Sequence, residues 1–462
     1  MPGPNVDVGT ALAVFIDGQA ANALDTPATD YPVAADAVRA LPGVTTSGPA
    51  AFSFYEDKRD TSTKQGVISE KREASLALEC YAYMTTVGTA PDWWDLLLYG
   101  GWQQQTGPAA TTVTGVTSTT TVIALTTAAG ITVKGCAEIS GELRRITAVD
   151  AAGAPNTITV TPALSSAPVA TTTVSFGITA YPKDARADDQ DALTGWAGNN
   201  RSMERFVGWV IDTLNLSMGG TGAAKITASG PARERNLLYS TALSAGINDA
   251  VTTIPVDDGT ACPADASATN PFYFEVGTEV LKIIAVSGNN WTSDTRGVYA
   301  HGGAAAAHLE DAEVFPAVPT GTYAGTPAPA TSGQIILNGD DMQLGEVSLA
   351  CEMGVVPREG QHGDKWAFSG YVLGMRSIKP SGNGSSFYDE AGVRMQEATN
   401  RTAIQFFAQQ GGSSGAIIAF ECPTVRLDFA DYARGEDEVQ IAMGGEAEGT
   451  SAGEDEIYIM VA

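Results

Sequence analysis

Between Phe206 and Met218 the chain reads FVGWVIDTLNLSM, and Val207, Trp209, Ile211 and Thr213 fall on alternate positions. A period of two puts successive side chains on opposite faces of an extended strand, whereas an amphipathic helix repeats its apolar residues three and four apart. The same period recurs in shorter pieces: Thr157–Val160 (TITV), Lys225–Ala228 (KITA), Thr253–Val256 (TIPV) and Glu456–Val461 (EIYIMV). Each is rich in β-branched or aromatic residues and bounded by Gly, Pro, Asn or Asp, the pattern of strands closed by turns. Asn338-Gly339 between IIL and MQL, and the Gly/Ser cluster Gly411–Gly415, are hairpin signals. Glycine, at 51 of 462 residues, is about 11% of the chain against a usual ~7% and favours a turn-rich fold. Helical patterning is confined to Pro91–Trp102 (PDWWDLLLYGGW), with Pro at a suitable first position, and to Pro32–Leu41. The expected fold class is all-β with one or two short helices.

A chain of 462 residues has room for two to four domains. Laid over itself at an offset of 137, it shows one internal repeat: Ala137–Val149 (AEISGELRRITAV) matches Phe274–Val286 (FEVGTEVLKIIAV). Glu138/Glu275, Glu142/Glu279, Ile146/Ile283, Ala148/Ala285 and Val149/Val286 are identical, and Arg145/Lys282 is conservative. Charge draws the boundaries. Residues 107–179 hold 3 acids and 3 bases, whereas 240–317 hold 10 and 2. The expected organisation is a host domain in three parts (1–106, 180–239, 318–462) carrying two inserted β modules, at 107–179 and 240–317. Insertions of this kind are tolerated because loop-closure entropy grows slowly with length.

The net charge of −27 and pI near 4.3 argue against a chain that grips nucleic acid or an anionic membrane by its own charge. No apolar stretch reaches the roughly 18–20 residues of a spanning helix, and Met1–Thr10 lacks the basic start of a signal peptide. Five scattered cysteines without CxxC spacing read as reduced small hydrophobes, so neither a disulfide framework nor a zinc site is expected.

Catalytic and ligand motifs are weak. Gly411–Gly415 (GGSSG) fits G-x-S-x-G, but a nucleophile elbow needs a strand before and a helix after it, and both flanks of Ser413 look like strands. His301 and His308, seven apart, lack a third metal ligand, and His362 sits in a Gly-rich loop. Gly219–Lys225 (GGTGAAK) runs into a strand instead of the helix a phosphate cradle requires. Asp257-Asp258-Gly259 and Asn338–Asp341 lack calcium-loop spacing, and the acids of 435–438 and the C-terminal tail read as a solvated face. Trp93, Trp94 and Leu96–Leu98 read as core packing of a short helix before any sugar platform. No catalytic residue, metal ligand or cofactor site is expected, and the chain is not expected to be an enzyme.

The order of the host segments carries a resemblance. Phe52–Met84 followed by APDWWDLLLYGGW, then Phe206–Pro231, then Gly415–Val461 with CPTVRLDF and the closing EIYIMV, together resemble the major tail tube proteins of long, non-contractile-tailed bacteriophages. The second repeat, with Arg296-Gly297, His308 and Val314, is similar to a small module recurring in phage tail and baseplate proteins; the first copy lacks the Arg-Gly and the His.

The resemblance implies a β-sandwich or barrel host domain that forms stacked hexameric rings around a tape-measure protein, with a tail terminator and a distal tail protein as further partners. DNA would pass through without tight binding, no membrane would be engaged, and the protein would reside in the virion tail after assembly in the host cytoplasm. The polar loop Glu56–Gly66 (EDKRDTSTKQG), with Asp57, Lys58, Arg59, Asp60 and Lys64, is the expected contact to the next ring. The modules are expected to decorate the exterior, and removing either to leave polymerisation intact. The alternatives are a β-modular adhesin or carbohydrate-binding tail component, or a tail-end or adaptor ring protein.

Overall fold

The computed structural model describes residues 13–18, 37–38, 40–41, 45–47, 50–55, 65–72 and 74–84, and then 86–462 apart from 116–117, 154, 184–190, 199–200, 221, 295, 298–303, 319–324, 343, 360–367, 387, 429–430, 435–438 and 451–452. The fold is all-β, every strand pairing is antiparallel, and two α-helices, Trp94–Tyr99 and Tyr388–Asn400, are present among the described residues.

One fifteen-stranded sheet organises the host. Its path starts at the hairpin Gly333–Leu337/Asp340–Asp341 and runs through Ala403–Gln410, Ile418–Leu427, Val439–Ala447, Ser377–Ser386 and Leu344–Glu352. It continues through Thr213–Gly219, Lys225–Pro231 and Ser75–Tyr81 to Thr45–Ser47. A branch leaves Ile418–Leu427 for Tyr458–Val461, then Ile178–Pro182, then Trp102–Thr106. Residues from both halves of this path, including Leu78, Leu216, Leu349, Phe406 and Phe420, share one core cluster, so the sheet wraps around its own interior. Trp93, Trp94 and Trp209 are fully enclosed there. Taking one such ring out of water removes roughly 150–250 Å², on the order of 4–6 kcal/mol.

A second host sheet of five strands, in the order Ala37–Val38, Ala13–Gly18, Leu193–Gly198, Ser202–Trp209, Glu234–Tyr239, adds Leu193, Phe206 and Trp209 to the same core. This corrects the single strand read at Phe206–Met218. Strand Ser202–Trp209 lies in the five-stranded sheet and Thr213–Gly219 in the large one. The corner between them is held where Val210 N–H donates to Pro231 O and Asp212 N–H to Ser229 O, both at 2.9 Å. Gly230 makes this approach possible, since a Cβ there would overlap the Val210 carbonyl oxygen. Phe206 to Ile211 are all buried, so alternation stops reporting one exposed face.

The helix expected at Pro91–Trp102 is shorter, Trp94–Tyr99, because Gly100 and Gly101 (φ 85°) end it and Trp102 already opens a strand. The helix expected at Pro32–Leu41 is contradicted where it is described: Ala37–Val38 is a strand paired with Val14 and Phe15. Asn338 (φ 52°) and Gly339 (φ 91°) form the hairpin turn that the dipeptide signalled.

The two repeats fold alike. The first is a six-stranded sheet in the order Val122–Leu125, Asn156–Thr161, Glu142–Asp150, Cys136–Ile139, Thr173–Phe176, Thr111–Thr112. The second is Thr253–Pro255, Asn290–Ser293, Glu279–Ser287, Phe272–Val276, Glu313–Pro316, Thr241–Ala242, the same topology strand for strand. Even the β-bulge coincides, between Ile146 and Ala148 in one and Ile283 and Ala285 in the other. Each copy encloses its own core, around Ile146 and Ile158 in the first and around Ile283 and Trp291 in the second. The first copy leaves the host after Thr106 and re-enters at Ile178, and these two residues are direct cross-strand partners. The second lies between Glu234–Tyr239 and the hairpin at Gly333–Leu337.

Candidate assembly interface

Besides a two-residue pairing of Thr326–Pro327 with Tyr83–Met84, two longer β-ribbons stand apart from the sheets. Ala50–Tyr55 pairs with Gln65–Arg72, and Val355–Glu359 pairs with Phe368–Leu373. Among the described residues neither ribbon pairs with a third strand. A two-stranded ribbon is marginal alone, and its unpaired edges are templates for further strands. In the second ribbon, Val355, Tyr371 and Leu373 pack on the host core. The cross-strand partners Val356 and Val372 take the other face at 56% and 45% exposure, beside Met375 at 93%.

The candidate contact residues Asp57, Lys58, Arg59, Asp60 and Lys64 lie outside the described residues, in the connection between the first ribbon's two strands. Residues 50–72 hold five bases and four acids, a slightly positive segment in a chain of charge −27. His301, His362 and the 435–438 acids also lie outside the described residues.

Where the modules meet the host, the surface is built from buried ions. The consecutive Arg144 and Arg145 of one strand point to opposite faces, as the pleat requires. Arg145 makes a two-pronged pair with Glu421, Nε and Nη2 donating to the two carboxylate oxygens at 2.9 and 2.8 Å, and its guanidinium stacks 4.4 Å over Tyr458. Glu421 is completely buried and also accepts from Gln405 Nε2 at 2.7 Å. Burial pulls the Arg145 pKa down, but the Glu421 bond outweighs it and the net shift is upward.

Arg144, fully buried, donates to Gln409, Gln334, Glu142 and two carbonyls, and desolvation lowers its pKa. Gln409 in turn accepts from Leu143 N–H and donates to Gly141 O, holding the module's hairpin to the host strand. Around these bonds Cys136 and Leu143 of the module share an apolar cluster with Phe407, Ile417, Ala419 and Met460 of the host. The module expected to be a removable passenger therefore covers a host face and neutralises a host carboxylate.

The second module docks through other elements. Trp196, Met203 and Leu238 of the host join its core, and the buried Arg205 lies 4.0 Å over Phe272 while donating to Pro271 O and to Asn270. Burial lowers the Arg205 pKa to about 10. Inside this module Glu279 accepts both prongs of Arg296 at 2.8 and 2.7 Å, His308 Nε2 at 2.9 Å and the Ala306 N–H at 3.1 Å. Burial raises the Glu279 pKa, but these donors outweigh it and hold the carboxyl below its ordinary range. Arg296 and His308 thus tie a loop to the sheet. In the first copy the equivalent Glu142 does the same work with Arg144 and Ser165.

The remaining motifs fall into turns and cores. Ser413 sits in the exposed turn joining antiparallel Ala403–Gln410 and Ile418–Leu427, so no helix follows it. Gly219–Lys225 joins antiparallel Thr213–Gly219 to Lys225–Pro231. Asp258 accepts from Thr260 N–H, capping a short 3-10 turn, and Asp340 pairs with Arg394. A cleft of about 490 Å³ opens beside Met218, Gly333, Met342, Val347 and Gln410, and among the described residues Asp341 is its one acidic or basic lining side chain. Among the described residues no three His, Cys, Asp or Glu side chains are grouped to hold a metal, and no helix is long and apolar enough to cross a membrane. All five cysteines are free and buried.

The first ribbon is partly legible, since Phe52 and Phe54 alternate around Ser53, but VVPRE and FSGYVL of the second show no such period. The docking ions are not legible, because Arg144, Arg145, Glu421 and Gln409 look like surface residues; their one signal is an Arg pair inside an alternating strand, which must send one cation to each face. No family model matches the chain, and no curated protein matches it.

Proposed function

We propose that this chain is the repeating subunit of a self-assembling tube, of the kind built by the major tail tube proteins it resembles, with stacked hexameric rings as the assembled form. The observation that carries the reading is the pair of ribbons, neither of which pairs with a third strand among the described residues, one of them presenting Val356 and Val372 to solvent beside Met375. Ring closure would pair such edges without leaving ladders exposed. The net charge of −27 per subunit suits a conduit wall from which DNA is repelled, with the acids facing the lumen. By the same resemblance the partners are further copies of itself, a tape-measure protein, a tail terminator and a distal tail protein, and the location is the virion tail. The role is structural, with no cofactor.

The test is imaging of the purified full chain by negative-stain electron microscopy, with light scattering on the eluting species. Stacked rings or tubes are expected. Discrete monomers or trimers at high concentration would refute the reading and favour a β-modular adhesin.

A further inference from the structure

The two modules share a feature that neither core packing nor docking explains. Ahead of strand Thr173–Phe176, Thr172 N–H donates to Val169 O at 3.2 Å and Thr171 N–H to Val113 O at 2.9 Å. Ahead of strand Glu313–Pro316, Ala312 N–H donates to Leu309 O at 3.3 Å and Asp311 N–H to Leu243 O at 2.9 Å. Thr171 and Asp311 both take the left-handed conformation, φ 69° and 65°, which side-chain-bearing residues seldom adopt. The glutamates at matching positions, Glu142 and Glu279, anchor the preceding loop in both copies through the backbone N–H of Ser165 and Ala306. This anchored turn lifts one large apolar side chain into solvent at the same place in each copy, Val169 at 73% and Leu309 at 83% exposure. The turns read VATT and LEDA, so the geometry and the apolar tip are kept while the neighbours differ.

We propose that the 163–172 turn of the first module, with Val169 at its tip, is a contact surface for a second copy of this chain. The inference rests on the reading of the chain as a self-assembling subunit. Charge selects both the turn and its partner. Copies carrying −27 each repel one another, and they can approach most easily through a surface free of net charge. No charged residue lies between Asp150 and Lys183.

The module's six charges are all engaged: Lys134 with Glu454, Arg144 with Glu142, Arg145 with Glu421, Glu138 with Gly141 N–H and Asp150 with its own turn. The apolar Val122, 39% exposed, lies near the same loop, since Leu164 N–H donates to Thr120 O. The Leu309 tip is flanked by Glu310, Asp311 and Glu313 and lacks this freedom to approach another acidic subunit.

The native thiols are all buried, so an introduced one reports alone. V169C and L309C are to be labelled with a maleimide in the dispersed full-length subunit and in the assembled form. V169C labelling is expected to slow about tenfold or more on assembly, as groups at an interface core lose contact with water, while L309C keeps its rate. V169D, exposed and therefore harmless to folding, should raise the concentration needed for assembly about tenfold, with an unchanged circular dichroism spectrum. Assemblies in which V169C reacts as fast as in the subunit, or in which both positions are equally protected, would overturn the inference and leave the tube reading standing. Failure of the wild-type chain to assemble at all would overturn both.

Discussion

Replacing Arg145 with Met tests whether the first module is a structural part of the host. The change keeps an unbranched apolar stem over Tyr458 but leaves the Glu421 carboxylate, fully buried, with Gln405 as its remaining side-chain donor. Removing one partner of a buried ion pair costs ~3–5 kcal/mol, since the survivor keeps its desolvation penalty without its counter-charge. At about 1.4 kcal/mol per factor of ten, undocking should become about 150-fold to several thousand-fold more frequent. The Cys136/Leu143 contacts with Phe407 and Met460 should open with it. Hydrogen exchange followed by mass spectrometry reads this directly, in peptides spanning 136–146 and 418–427. The double variant R145M/E421L removes both charges, and should cost under about 1 kcal/mol because a buried pair replaced by apolar groups is close to neutral. A cost below about 1 kcal/mol for R145M alone, or a double variant equal to the sum of its singles, would refute the argument.

Three further outcomes are expected. Because the folded Glu279 pKa lies below the ordinary 4.5, its contribution to stability is full above that value and lost as pH falls through the lower folded value. The protection of the Ala306 amide, its exchange rate relative to that of an unstructured amide at the same pH, should therefore fall on acidification through that window, and E279Q should remove this change while costing about 3 kcal/mol at neutral pH; a protection factor constant across the window in the wild type would contradict this. G177A should lower the melting temperature, by a few kcal/mol in stability terms, because a Cβ there overlaps the Val461 carbonyl oxygen; an unchanged melt would show that the approach is not close. Deleting 57–65 should shorten tubes or raise the assembly threshold without unfolding the subunit, and tubes of normal length would dispose of that segment as a contact.

Much of the fold was legible because alternation is a strong signal wherever one face is wet. The segments at Thr157, Lys225 and Thr253 and the turns at Asn338-Gly339 and Gly411–Gly415 all stand in the structure where the pattern put them. The repeat was legible too, down to paired positions 137 apart that share a bulge. What alternation could not show is a corner. Phe206 to Ile211 are apolar and buried throughout, so the break between two sheets leaves no change in pattern. The helix Tyr388–Asn400 leaves no clear signal, its period interrupted by Gly392. The ionic docking surface was illegible for a different reason. A charged residue is a surface residue until its partner is known, and Arg145 and Glu421 are 276 positions apart.

The hydrogen bond from Gly107 to Gly177 has a consequence for what the host could carry. A whole β module departs and returns through two neighbouring strand ends, so the parent sheet registers it as nothing longer than a tight turn. Any foreign payload whose own ends lie about 5.5 Å apart, the spacing of a hydrogen-bonded strand pair, could be grafted at this port without shifting a rung of the ladder. The port has a seat as well as a socket. A replacement that brought no cation down to Glu421 and no oily face to Phe407 would be spliced in correctly and still sit on bare, unbalanced ground.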